Sequence, residues 1–118
     1  MNLELFIYEA EVIRVIDGDT VDAKISLGFD TYTNKRIRLY GIDTPETRTL
    51  DLEEKERGIA AKERIIEILK LNDNQFTLRS HGYGKFGRCL GELFVKTLGD
   101  ISVQQTLINE GHGIEYMK

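Results

Sequence analysis

The sequence predicts a small α+β domain, a closed barrel of strands with helices packed on it. Three observations lead there. Alternating apolar and polar residues mark strands in the first third of the chain and again after the middle. One stretch between them carries a helical apolar stripe, and a shorter one follows the last strand. Turn residues separate these segments, with no repeat, linker or low-complexity stretch.

From Phe6 to Ile16, the residues Phe6, Tyr8, Ala10 and Val12 alternate with Ile7, Glu9, Glu11 and Ile13. That gives a first strand with one apolar and one mixed side. Asp17-Gly18-Asp19 is a turn signal, and Thr20 to Leu27 is a second strand with Val21, Ala23, Ile25 and Leu27 on one side. Gly28 to Lys35 reads as a polar hairpin connection and Arg36 to Tyr40 as a third strand. Thr44-Pro45 leads into a charged stretch up to Arg57, expected to be an exposed loop running into a helix. The helix is expected from about Gly58 to Leu71, where Ala61, Ile65, Ile68 and Leu69 share a face, and Asn72-Asp73-Asn74 stops it. Gln75 to Ser80 and Cys89 to Val95 read as strands around a glycine-rich segment, and Leu98-Gly99-Asp100 as a turn. Ser102 with Gln105 three residues later makes a capping box for a short helix, with Val103, Leu107 and Ile108 apolar and Gly111 at its end.

The 118 residues fit one domain over 1–118, and 41% hydrophobic with 31% charged residues is a globular balance. There is no Trp, so Phe, Tyr, Ile and Leu must fill the core. A single cysteine, Cys89, excludes an intrachain disulfide and reads as a small buried strand residue. His81 and His112 have no metal-ligand spacing and read as structural. Lys55, Arg57, Lys62 and Arg64 interleave with Glu53, Glu54, Glu56 and Glu63 as a solvated face. The N-terminus lacks a basic stretch followed by a long apolar run, and no segment approaches the roughly 20 apolar residues that cross a bilayer. A soluble cytoplasmic protein without membrane association is expected. The net charge of −4 argues against tight occupancy of a polyanion. A local cation and a basic face on an acidic whole allow weak, transient binding.

Three motifs carry the chemistry. They are Val15-Ile16-Asp17-Gly18-Asp19-Thr20-Val21, Arg38-Leu39-Tyr40-Gly41-Ile42-Asp43-Thr44-Pro45-Glu46, and Lys85-Phe86-Gly87-Arg88. Asp19 and Asp43 each follow an apolar strand and precede a Thr, so both carboxylates belong at strand ends. Two such carboxylates repel unless a cation lies between them. Oxygen ligands, with the Thr44 carbonyl and waters completing the shell, suit Ca²⁺ or Mg²⁺. Asp-Gly and Asp-Thr-Pro are also ordinary turn chemistry, and that alternative wins for each motif alone. The arginines reverse the balance. Arg38 lies five residues before Asp43, with Gly41 permitting a bend between them, and Arg88 ends the glycine-rich loop. Planar guanidinium groups grip phosphate oxygens and absorb charge at the transition state. Glu46, three residues past Asp43, is placed to orient or deprotonate a metal-adjacent water. Lys85 with Tyr83 and Phe86 suits backbone contact and base stacking, and Tyr116 adds another ring. For these aromatic residues, packing is an equal alternative.

These motifs resemble the thermonuclease family, the staphylococcal nuclease-like domains. The V-I-D-G-D-T segment, the arginine five residues before D-T-P-E, and the later K-F-G-R stand in family order at close to family spacing, over about Glu9 to Tyr116. The resemblance implies a five-stranded OB-fold barrel with packed helices and Ca²⁺-dependent hydrolysis of DNA and RNA, single strands preferred. It also implies Asp19, Asp43 and Thr44 at the metal. Arg38 and Arg88 would sit on the phosphate, Glu46 at the attacking water, and Lys85 on substrate phosphate. Several features depart from the family. Phe86 stands where the staphylococcal enzyme has a tyrosine, and Gly84 replaces an acidic residue. The span from Thr20 to Arg38 is longer, which predicts an extended hairpin around Gly28 to Asn34. Only Tyr116 stands near the family's C-terminal tyrosine pair. The sequence given stops where the family usually continues into another helix, so a monomer or weak homodimer is expected. The alternative reading is a catalytically inactive nuclease-like module that binds nucleic acid or protein.

Overall fold

The computed structural model describes residues 6–84 and 87–116. Lys85 and Phe86, expected at the substrate, lie outside the described residues. Strands β1 (Ile7–Asp17), β2 (Thr20–Gly28) and β3 (Thr31–Leu39) form an antiparallel meander. The two-residue strand β4 (Ile42–Asp43) and helix α1 (Leu52–Leu71) follow. Strands β5 (Gln75–Tyr83) and β6 (Cys89–Phe94) make a second antiparallel pair. β5 joins β1 antiparallel and β6 joins β3 parallel, which closes a five-stranded barrel. Helix α2 (Val103–Asn109) and the short strand β7 (Ile114–Glu115) complete the described chain.

The core sits inside the barrel and between it and the helices. Val21, Ala23 and Ile25 of β2, Ile37 and Leu39 of β3, and Leu78 and Leu93 point inward, and Ile65, Ile68 and Leu69 of α1 cover them with Val103 and Leu107 of α2. In β1 the inward residues change parity. Ala10 is buried, Ile13 is exposed, and Val15 is buried again. Register shifts at Val12/Arg14 and Val15/Asp17 explain it, because each bulge adds a residue and turns the following side chains over.

Three expected boundaries differ. Helix α1 begins at Leu52 rather than near Gly58. Asp51 caps it by accepting from the Glu53 and Glu54 N–H groups, and those two acids complement the positive end of the helix. This first turn shows no apolar stripe because it projects past the core, with Leu52 exposed. The expected connection from Gly28 to Lys35 is mostly strand, since β3 starts at Thr31. Only Phe29 and Asp30 turn, with φ of 55° and 59°, the left-handed pair that a two-residue hairpin needs. β5 runs on to Tyr83 rather than stopping at Ser80.

Ser102 Oγ accepts from the Gln105 N–H at 3.0 Å and caps α2. The Gln105 side chain turns to Asn109 instead of closing the box. Cys89 is half-buried on β6. Among the described residues, no helix is long and apolar enough to cross a membrane.

Candidate functional site

Arg38 lies between buried Ile37 and Leu39, so strand alternation turns it to the outside of the barrel wall. Asp19 stands at the end of the β1–β2 turn, and two contacts fix it beside Arg38. Thr20 pairs with Arg38 across the ladder, and the Leu39 N–H donates to the Asp19 carbonyl at 2.8 Å. The chain then reverses at Gly41, whose φ of 83° belongs to the left-handed region. The reversal brings Asp43 of β4 back over the same face. β7 pins it, pairing Ile114 with Asp43 and Glu115 with Ile42. The Tyr116 N–H donates to the Gly41 carbonyl at 3.0 Å, which sets the Tyr116 ring near Arg38, 5.9 Å from centroid to Cζ.

Arg38 Nη2 therefore sits 3.6 Å from a carboxylate oxygen of Asp19 and 3.6 Å from one of Asp43. Its Nη1 donates to the Leu39 carbonyl at 2.9 Å. The Asp19 carboxylate also accepts from the Thr20 hydroxyl at 3.0 Å and the Thr44 N–H at 3.3 Å. Thr44 is buried, and among the described residues its hydroxyl has no hydrogen-bond partner. The Asp19 side chain is 14% exposed and that of Asp43 53%, so the pair spans from the wall of the cavity to its solvent side.

Asp19, Arg38 and Asp43 line a cavity of about 760 Å³ that also takes in Glu46, Arg88 and Tyr116. The parallel β3–β6 register pairs Ile37 with Cys89, and so brings Arg88, one residue earlier, to the rim. Glu46 follows Pro45 and is exposed, its N–H donating to Glu54 Oε2 at 3.4 Å. Tyr83 does not join them. It is exposed and lines a separate groove at one mouth of the barrel, with Phe6, Tyr8 and Leu27.

Polar residues outside the predicted set also line the cavity, among them Asp17, Glu92, Gln104 and Glu115. Asp17, the first carboxylate of the Asp17-Gly18-Asp19 turn, accepts from the Thr47 hydroxyl. Glu92 is held by His81 at 2.6 Å, and the His81 ring lies flat on Tyr40 with centroids 4.0 Å apart. Glu115 arrives on β7. Gln104 is buried beneath the site: its Oε1 accepts from the Leu93 N–H, and its Nε2 donates to the Gly91 and Tyr40 carbonyls. Asp17 was legible within its motif. A lone Gln at a helix start gives no such signal.

Asp19 and Asp43 supply two negative charges against the single guanidinium between them. Among the described residues, no three His, Cys, Asp or Glu side chains converge closely enough to hold a metal by themselves. The protein donors are thus two carboxylates and the neighbouring backbone, an oxygen set that fits a hard cation keeping several waters. Arg38 and Arg88 on the same cavity suit an anionic ester.

A closed five-stranded barrel with two helices is an OB-type fold. Residues 36–118 match the family model described as staphylococcal nuclease homologue, and the chain belongs to that family, which makes it a nuclease-type or nucleic-acid-binding module. The matched span takes in Arg38, Asp43, Glu46 and Arg88, whereas Asp19 precedes it and reaches them through barrel pairing. A comparison with curated proteins finds no match.

Proposed function

We propose that the chain is a Ca²⁺-dependent, sugar-nonspecific nuclease that hydrolyses phosphodiester bonds of DNA and RNA. The observation that supports this most is the convergence of Asp19 and Asp43 on one nitrogen of Arg38, each 3.6 Å from Nη2, in a cavity shared with Glu46 and Arg88.

Asp19, Asp43 and the Thr44 carbonyl would hold the cation, which supplies positive charge next to the scissile phosphate and acidifies water. Arg38 lies too far from either carboxylate for a strong hydrogen bond, so its outer edge remains available to a phosphate oxygen. Arg88 approaches from the rim and takes another. Glu46 stands on the exposed side, where it accepts a proton from the attacking water. The water oxygen bonds to phosphorus, the ester bond to the leaving sugar oxygen breaks, and that oxygen takes a proton from solvent. The two guanidinium groups stabilise the charge that builds up on the phosphate. Tyr116, against Arg38, would flank the bound nucleotide. Lys85 and Phe86, proposed for substrate by the motif alone, lie outside the described residues.

The test is incubation with single-stranded DNA and RNA, with Ca²⁺ or chelator, beside a Glu46→Gln control. Cleavage that needs metal and is lost in the control supports the reading. Intact strands in every tube, from folded protein that still binds them, would replace it with a binding module.

A further inference from the structure

Strand β3 has neighbours on both edges only near the cavity. β2 accompanies it from Thr31 to Arg38, whereas β6 pairs with it only from Ile37 to Leu39. Two bonds fix which backbone groups face which side. The Leu39 N–H donates to Asp19 on the β2 side, and the Tyr40 N–H donates to Gly91 on the β6 side. Backbone groups alternate along a strand, and the β2–β3 register is regular from Arg38 to Tyr32. The N–H and C=O groups of Tyr32 and Asn34, and the Arg36 N–H, therefore point away from β2. Among the described residues, no ladder partner meets them there.

Beside this edge lies the groove at the barrel mouth, with a volume of about 470 Å³. Thr33 and Lys35 line it from β3, Tyr83 and Leu90 from the β5–β6 end, and Leu27 and Leu78 from the barrel. Its lining is mostly apolar, yet Leu27 and Tyr83 are exposed. Lys35 is exposed too, and among the described residues it has no ion pair. An open strand edge and an apolar groove thus run side by side, with one unpaired cation between them.

We infer that this edge and groove are a docking surface for an extended peptide segment of a protein partner, which adds to β3 as a further strand. Another polypeptide in extended form presents donors and acceptors at the strand repeat of about 6.7 Å, which the open edge requires. Strand parity sets every second side chain of the guest on the groove side, beside Thr33 and Lys35. That row is apolar, with one acidic residue to complement Lys35. The inference does not rest on the nuclease reading, since none of Asp19, Arg38, Asp43, Glu46 and Arg88 lines the groove.

Amide exchange by NMR reads the edge residue by residue. The probe is a short capped peptide of alternating valine and threonine with one glutamate in the valine row. A version with lysine for glutamate and a version with N-methylated backbone amides accompany it. The glutamate peptide should slow exchange at the Tyr32, Asn34 and Arg36 amides by about tenfold or more, leaving Thr33 and Lys35, already in the β2 ladder, unchanged. In fluorescence anisotropy the N-methylated peptide should bind about tenfold more weakly. Asn34→Pro, which removes one outward N–H and spares the β2 ladder, should weaken the parent peptide by about as much. Lys35→Glu should invert the preference between the glutamate and lysine peptides. Equal binding of the N-methylated peptide would mean docking in the groove without strand addition and overturns the inference, as does failure of every peptide to bind. A dimer in light scattering that Asn34→Pro dissolves would give the edge to a second copy of the chain and overturns it as well.

Discussion

Gly58 of α1 lies directly against the backbone of Glu46: a Cβ at Gly58 would stand 2.5 Å from the Glu46 carbonyl oxygen and 2.8 Å from that of Pro45. The helix thus acts as the floor on which the Glu46 loop rests. Gly58→Ala should gain about 1 kcal/mol in helix propensity and lose about 1–3 kcal/mol to the overlap. The relief is a shift of the loop, which carries Glu46 away from the cavity. Turnover should fall by about a hundredfold while urea unfolding moves little. Unchanged turnover would mean that the contact does not set the position of Glu46.

Arg38 stands between two carboxylates where a cation would also bind. Arg38→Met should therefore separate binding from turnover. With the guanidinium gone, Asp19 and Asp43 repel each other more and attract a divalent ion more strongly. Added Ca²⁺ should raise the Tm of the variant more than that of the parent, since ligand stabilises the state it binds. Nucleic-acid cleavage should drop by about 10²–10³-fold. Equal Tm shifts in the two proteins would count against the two aspartates as the cation's ligands.

Gln104 joins three backbone groups, on Leu93, Gly91 and Tyr40. Tyr40 follows Arg38 by two residues, so this amide also steadies the bend before Asp43. Gln104→Leu keeps the volume and leaves the Leu93 N–H and the Tyr40 carbonyl without this partner, while the Gly91 carbonyl keeps its bond from the Tyr40 N–H. A loss of about 2–4 kcal/mol in urea unfolding is expected, because each unmade partner costs about 1–3 kcal/mol. A loss below about 1 kcal/mol would show that water reaches these groups.

Apolar periodicity carries far in this chain and fails for identifiable reasons. Ala61, Ile65, Ile68 and Leu69 lie on the buried face of α1 as their spacing predicts, because their burial drives the helix. The first turn of α1 is driven by the Asp51 cap and its charges, so a search for stripes overlooks it. β4 and β7 are two residues each, too short for any period, yet their pairing holds Asp43 in place. Outer hairpin residues such as Thr31, Asn34 and Lys35 lie beyond the core and read as a loop. The grouping of the candidate residues was more legible than what holds them in place. Asp19, Arg38, Asp43, Glu46, Arg88 and Tyr116 reach one cavity, whereas Tyr83 turns to another. Arg64 reads as one charge of a solvated helix face, yet it ties α1 to the end of α2, a long-range contact that local sequence does not encode.

That tie predicts a pH dependence. Arg64 Nε and Nη2 donate to the two carboxylate oxygens of Glu110 at 2.6 and 2.8 Å, and Nη1 donates to Glu67. Arg64's hydrogen bonds hold the Glu110 carboxyl below the ordinary glutamate range, with Arg64's charge and, less, that of His112 adding to the effect against partial burial. The unfolded chain then binds this proton at higher pH than the folded one. The stability from the pair is complete above the ordinary glutamate pKa, about 4.3, and is lost as pH falls through the folded value. Both side chains are partly solvated, so the contribution is about 0.5–1 kcal/mol. Glu110→Gln should lower stability by that amount at neutral pH, and the gap from the parent should close as pH falls through the folded value and narrow in high salt. Asp22, lowered by Arg36 with the same sign, remains in the variant, so acid sensitivity should shrink and not vanish. Urea unfolding of both proteins across the acid range checks this, and a gap that stays constant with pH would remove Glu110 as its source.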